Sequence, residues 1–395
     1  MPLGIYISVP FCRTKCSYCN FASDVFSRAV FEKYVDRVCA DIENARQTAT
    51  RMGGQFEPSV DSIYLGGGTP TLMEATQLER IFAAIRSNFE VERNAEITVE
   101  CAPGTLTDVG LESLLRCGVN RVSLGVQSLV DQEAAAVGRL HKRTIVLADI
   151  DRLRASGITN INVDLIAGLP HQTAQSWEYS LAETVATNVP HVSVYMLEVD
   201  EDSRLGRELL AGGTRYHAHS VPDEEAMTDF YLAACGSMNA AKIEQYEISN
   251  FAREGFKSGH NLKYWKRQPY LGFGVDAHSM LLSSAPDLDA VRLAPSDSLE
   301  QYVSGADPQR TPVTREAAME ENFFLGLRLN QGVNLADLAL RFGHEAMGRT
   351  NAVIRELIEC ELMERDEDFI RLTSRGRLLS NEVFERFMVA ESVVR

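Results

Sequence analysis

The stretch IYISVPFCRTKCSYCNF, residues 5–21, sets an apolar run of strand character directly before three cysteines, Cys12, Cys16 and Cys19. Residues 5–9 read as a buried strand, so the thiols fall on the loop at its C-terminal end. Thiolates are soft ligands, favoured by zinc and by iron–sulfur clusters. Three closely spaced thiols can grip three corners of a cubane. A zinc site completed by a distant residue is the alternative. Its usual signature, two separated CxxC or Cys/His pairs, is missing from this sequence, so the spacing favours a cluster. A cubane on three thiolates leaves one iron without a protein ligand, an open position for a small molecule. The stretch ends on Phe21, where a fourth cysteine could have stood.

The strand-then-helix reading repeats outward from this loop. Phe31, Tyr34, Val35, Val38, Cys39 and Ile42 recur at helical spacing. Residues 60–65 read as a second strand, closed by Gly66, Gly67 and Gly68. Residues 95–100, 121–127, part of 161–170 and 192–197 continue the series of strands. LLRCGVN (114–120) and LRASGIT (153–159) echo each other, each ending a helix on a glycine suited to the left-handed cap. Gly118 and Gly157 are 39 residues apart (157 − 118), the period of a βα unit. Six alternating units imply a parallel sheet that right-handed crossovers curl into a barrel or partial barrel.

The remainder differs in character. Residues 211–222 are rich in Gly, Thr, His and Pro and read as a loop, with a helix predicted from about Asp223. Residues 246–279 are aromatic and glycine-rich and read as functional loop and short strands rather than regular helix. From about Thr311, helical patterns at 315–327, 335–342 and 352–364 precede a short strand, a turn and a last helix, a winged-helix pattern. The predicted division is 1–210 for the barrel, 211–310 for an extension and linking region, and 311–395 for a C-terminal α+β domain.

Composition narrows the classes of partner. The chain has 395 residues and a net charge of −16. Such a surface repels phosphate backbones, and the 350–367 segment, the recognition helix of a winged-helix reading, is acid-rich, so nucleic acid is not an expected partner. The apolar N-terminus lacks a basic segment and a cleavage site, and the sequence holds no apolar run of about 18 residues, so the expected location is cytoplasmic. The five other cysteines are single residues in apolar surroundings and read as reduced, buried hydrophobes.

Polar residues close the predicted strands on the rim that carries the cysteine loop. LGGGTPT (65–71) follows the second strand, and its glycines let the backbone approach a ligand and offer N–H groups to a carboxylate. The helix start after it is expected to favour an anion. Glu100 follows the third strand, Gln127 the fourth, and Asp164 lies in the fifth. Polar groups at the C-terminal ends of barrel strands line sites. Such a ring of carboxylates and an amide suits ribose hydroxyls and an ammonium group.

The CxxxCxxC loop, GGGTP on the second loop, and Glu, Gln and Asp at later strands together resemble the radical S-adenosylmethionine superfamily. Over essentially the whole chain, including YEISNFA, HNLKYW and AHS, the sequence is similar to the branch of oxygen-independent coproporphyrinogen oxidases and HemW-type haem chaperones. The resemblance implies a partial (β/α)6 TIM-like barrel of the radical SAM type. It implies that Cys12, Cys16 and Cys19 bind a 4Fe-4S cluster, and that S-adenosylmethionine chelates the open iron. Tyr6 and Tyr18 would contact cofactor, and Gly67, Gly68 and Thr69 would hold its methionine end. Glu100, Gln127, Arg139 and Asp164 match the remaining cofactor contacts.

Phe21 bears on the branch. Oxidases of this branch carry CxxxCxxCxC, whereas the chaperones have phenylalanine at the last position. Only eleven residues precede Cys12, while the decarboxylating enzymes carry a longer extension. Both features lead to the expectation of a haem chaperone. The alternative is an oxygen-independent coproporphyrinogen III oxidase of porphyrin biosynthesis. Within HNLKYW, His260 is the expected axial haem ligand, with His278 and Cys235 as rivals. Tyr264 and Trp265 could pack on the porphyrin, and Lys257, Lys263, Lys266 and Arg267 could meet its propionates. The implied partners are haem, haem-accepting clients that include membrane-associated haem proteins, an electron donor, and a second copy of the chain as a homodimer.

Overall fold

The computed structural model describes residues 1–388. The end of the predicted 311–395 domain, residues 389–395, lies outside the described residues. Six strands alternate with helices: β1 (Leu3–Val9), β2 (Ser59–Gly67), β3 (Glu90–Cys101), β4 (Arg121–Gln127), β5 (Asn160–Ala167) and β6 (His191–Met196). All five neighbouring pairs are parallel and lie in sequence order, as right-handed βα crossovers dictate. Alternate residues point to opposite faces. On β1, Leu3, Ile5, Ile7 and Val9 are buried against the helical layer. The helix Ala29–Glu43 meets them with Phe31, Tyr34, Val35, Val38 and Ile42. Each such side chain contributes about 1.5–3 kcal/mol through burial.

Residues after β6 extend this sheet at both edges. β7 (Glu244–Gln245) and β8 (Asn250–Ala252) add antiparallel strands beside β6. β9 (Tyr270–Gly274) pairs in parallel with β1, and β10 (Ser279–Leu282), β11 (Leu288–Ala294) and β12 (Gln309–Thr314) continue beyond it. The twelve strands form one open sheet with β12 and β7 at its ends. Its six central strands curl, because side chains from β2 through β6 and the loop after β1 line one cavity.

The C-terminal part has its own core. Phe323, Leu327, Leu338, Ile354, Ile370 and Val383 form a separate apolar cluster. The helices Arg315–Gly326, Leu335–Phe342 and Met347–Glu359 surround it. A small antiparallel sheet completes the unit, with β13 (Val333–Asn334), β14 (Met363–Asp366) and β15 (Phe369–Leu372).

Three predicted elements are corrected. The helix expected over 352–364 runs Met347–Glu359, and Met363–Asp366 is a strand. Glu361 takes the left-handed conformation that stops the helix (φ 59°), a place where sequence reading looks for glycine. The last helix is two short ones, Ser374–Leu378 and Ser380–Glu385. Within 246–279, expected to lack regular helix, Gly259–Trp265 is helical. Its first turn is capped from a distance, as Gly259 N and His260 N donate to Glu96 carboxylate oxygens at 2.9 and 3.0 Å. Among the described residues, no helix is long and apolar enough to cross a membrane.

Candidate functional site

The loop after β1 is held from all sides before any ligand is considered. Cys12 N donates to Asp24 O (3.0 Å), Ser17 N to Val137 O (3.2 Å) and Leu205 N to Ser17 O (2.8 Å). Lys15 Nζ ties the loop to itself, donating to Phe21 O (2.9 Å) and Ser23 O (2.7 Å). Cys12, Cys16 and Cys19 are free thiols that line the central cavity. Burial pushes the Cys12 thiol up, with the Ser23 and Thr69 hydroxyls opposing. Among the described residues, no three His, Cys, Asp or Glu side chains converge on a single metal ion. A cubane asks for a different geometry, each thiolate on its own iron rather than all on one.

The cavity measures about 550 Å³. Of the residues expected at the cofactor, Tyr18, Gly67, Gly68, Thr69, Glu100, Gln127, Arg139 and Asp164 line it with the three thiols, whereas Tyr6 and His260 do not. Glu100 accepts from Tyr64 Oη (2.9 Å) and Gly67 N (3.2 Å). Burial, and then the neighbouring Asp164 charge, push its carboxyl up to about 7. Asp164 accepts from Ser123 Oγ (3.0 Å) and Asn162 Nδ2 (2.7 Å), and burial raises it as well. Arg139 leaves the chain after a short helix and reaches back to Tyr18 Oη, donating at 3.3 Å. A solvated surface role for Arg139 is thereby excluded, because its Nε is buried and without a hydrogen-bond partner.

Gln127 carries a signal that sequence reading missed. The register of β4 on β5 shifts between Gly125 and Gln127. Gln127 itself has φ +70°, costly for a residue with a side chain. Such a bulge re-aims a side chain at the end of a strand. Its Oε1 is buried without a partner. Two carboxylates, the Gln127 amide and the Arg139 guanidinium thus line one cavity beside three thiols. This donor set fits a ligand with hydroxyls, an ammonium and a carboxylate.

The glycine loop works differently from the expectation. Gly67 N donates to Glu100 (3.2 Å), Gly68 N to Val9 O (2.7 Å) and Thr69 N to Phe11 O (2.7 Å). These three N–H groups are therefore engaged within the protein rather than available to a ligand carboxylate. No helix begins there either, since Pro70–Leu72 is a single 3-10 turn and the helix starts at Ala75 behind its own capping box. The glycines serve close packing, as a Cβ on Gly68 would sit 2.6 Å from Phe11 O. They press the second loop onto the cysteine loop.

The HNLKYW segment is the larger correction. His260 is 1% exposed. Its Nδ1 lies 3.0 Å from Ser62 Oγ and its Nε2 2.9 Å from Tyr264 Oη, so both ring nitrogens are engaged. Burial first, then the Lys263 and Arg121 charges, push the ring's pKa down to about 3, which keeps it neutral. Tyr6 packs beside it, with ring centroids 6.4 Å apart. Lys263 is buried against Asp61 (2.6 Å) and Arg267 is held by Asp289 and Glu321, so neither is free for a propionate. His278 is exposed beside Asp276, and neither it nor Cys235 lines the cavity. The sequence displays the ligand-type residues but not the polar strand faces that engage them.

Other cavity residues lay outside every motif. Tyr64 and Tyr195 line it from β2 and β6, and Arg328, Arg377, Leu378 and Asn381 enter from the C-terminal part. Phe21 stands at the cavity, 62% exposed.

A family model described as the Radical SAM superfamily matches residues 6–183, and the HemN C-terminal domain matches 313–379. "Heme chaperone HemW" of Bacillus subtilis is 34% identical over 97% of this chain and 98% of its own length. The protein of the same name in Escherichia coli is 29% identical, with 98% of each chain covered. Among solved structures, the coproporphyrinogen III oxidase HemN of Escherichia coli superposes with a TM-score of 0.82 at 23% identity. It covers 98% of this chain and 90% of its own, and at that identity it establishes the fold.

Proposed function

The chain belongs to the HemW family of radical S-adenosylmethionine proteins, and from that premise we propose that it is a haem chaperone, binding haem and delivering it to client proteins. The full-length likeness to proteins named heme chaperone carries the reading. The coproporphyrinogen oxidase alternative has the shared fold in its favour at 23% identity, and Phe21 stands where that enzyme branch has cysteine. The assignment of residues is part of the proposal. Cys12, Cys16 and Cys19 would hold a 4Fe-4S cluster, and Gly67, Gly68, Thr69, Glu100, Gln127, Arg139 and Asp164 would surround S-adenosylmethionine. The division into 1–210, 211–310 and 311–395 is proposed in the same sense, supported by the separate C-terminal core.

The cluster, when bound, supplies one-electron chemistry at its open iron. The chain's own residues do the positioning. The loop clamped by Lys15, Asp24 and Ser17 presents the thiols at fixed spacing. Glu100 and Asp164 offer acceptors to hydroxyls and to an ammonium, and Gln127 Oε1 adds a third. The Arg139 guanidinium, already leaning on Tyr18, sets a positive charge beside the cavity for a carboxylate. Anaerobically reconstituted protein should bind haem saturably, seen as a Soret band, and should yield no protoporphyrinogen from coproporphyrinogen III. A protein that turns over the porphyrinogen and does not bind haem would reverse the reading.

A further inference from the structure

We propose that the end of the cavity covered by the C-terminal part is a carboxylate seat, built from Arg328 and Arg377, that receives the propionates of a tetrapyrrole. The proposal rests on the haem-chaperone reading and adds a place for the cargo.

Arg328 lies over the Trp265 ring, 4.3 Å from its centroid. Its nearest carboxylate oxygen, Glu247 Oε2, is 3.9 Å away, beyond hydrogen-bond reach. Both Arg328 Nε and Glu247 Oε2 are buried without a hydrogen-bond partner. Arg328 thus has a fixed plane, a partly exposed side chain and an ion-pair partner that takes no hydrogen bond from it. Among the described residues, Arg377 donates only to neutral acceptors of its own neighbourhood, Leu372 O and Ser374 Oγ, both at 3.1 Å. Both arginines line the cavity that also holds the cysteine loop. In a chain with 55 acidic and 39 basic residues, two guanidinium groups lining one cavity, neither hydrogen-bonded to a carboxylate among the described residues, mark an anion site.

The shape of the ligand follows from what flanks the arginines. Tyr195, Tyr231, Ile248 and Leu378 line the same cavity and offer aromatic and apolar surface. A small phosphate has no use for such walls. A flat apolar body carrying two carboxylates does, and each guanidinium fork can take a carboxylate through two N–H groups. The arrangement also gives HNLKYW a role other than ligation. Its Trp265 is a positioning residue that fixes Arg328 across the boundary between the barrel and the C-terminal part.

The test compares haem with haem dimethyl ester, which keeps the macrocycle and lacks the carboxylates. The full-length reconstituted chain, Arg328→Gln, Arg377→Gln and the double variant are titrated by Soret absorbance. The wild type should prefer haem. Each variant should lose about tenfold or more in haem affinity, since it removes a charge-assisted hydrogen bond to a propionate. Ester affinity, S-adenosylmethionine affinity and cluster absorbance should stay unchanged. If Arg328→Gln fails to fold, Arg377→Gln alone must show the loss. Unchanged haem affinity and an unchanged preference over the ester would overturn the seat and leave the chaperone reading standing. A wild type that binds neither compound would instead sink the chaperone reading.

Discussion

The cysteine loop and the Gly259–Trp265 helix invite the same guess from sequence, since both carry metal-binding residue types in a tight motif. The fold treats them in opposite ways. Around the loop, backbone groups are satisfied while the thiols stay free and line a cavity. In the helix the side chains themselves are satisfied, with His260 engaged at both nitrogens and Lys263 paired with Asp61. A ligand site presents chemistry-bearing side chains to open space. A structural motif closes them off. Residue type does not distinguish the two; whether the side chain lines the cavity or is closed off by its neighbours does.

The sharpest way to break this comparison is Cys16→Ala. It should abolish the iron–sulfur absorbance after anaerobic reconstitution, while circular dichroism remains that of the folded protein. Retained cluster absorbance would remove Cys16 from the ligand set.

Next in size is His260→Ala, which deletes a buried ring and leaves Ser62 and Tyr264 without their partner. The expected loss is about 3 kcal/mol of folding stability, read from the denaturant midpoint. A variant as stable as the wild type that no longer binds haem would make His260 a ligand after all.

The Glu100 carboxyl tests the electrostatics of the open site. Its folded pKa, about 7, lies above the ordinary value of about 4.3, so the folded state holds the proton more tightly. The cost of ionising it is absent below about pH 4.3, grows as pH rises, and is complete above about 7. Glu100→Gln should therefore gain about 1–3 kcal/mol over the wild type at pH 8 and nothing at pH 4. Equal gains at both pH values would show that the carboxylate is not strained by burial.

The smallest effect is expected at Phe21. With its ring 62% exposed, Phe21→Ala should change stability by less than about 0.5 kcal/mol in thermal unfolding. A larger loss would mean that Phe21 supports the loop rather than standing free at the cavity.

Much of this was legible in the chain. The six strands appear within a few residues of their predicted bounds because their apolar runs are short, continuous and separated by helical periodicity. The thiols, Glu100, Gln127 and Asp164 line one cavity because they lie in or just after the C-terminal halves of parallel strands, positions that a βα fold brings to one rim. The glycine loop lies where the sequence places it, but its N–H groups are engaged within the protein, since no sequence shows which acceptor an N–H will meet. Gln127's bulge, the burial of His260 and the arrival of Arg328 and Arg377 from residues far along the chain left no local trace.

The sequence by itself determined the alternation of strand and helix, the rim on which polar groups gather, and the three-thiol loop. These depend on periodicity and on spacing within a few residues. The tertiary structure alone decided which polar atoms remain open. Glu96 from β3 caps the His260 helix, Ser62 from β2 takes its ring, and Trp265 props an arginine from the C-terminal part. Satisfaction of a buried polar group is a property of pairs brought together by folding, and burial raises its cost enough that each pairing decides whether a residue binds a ligand or holds the protein together.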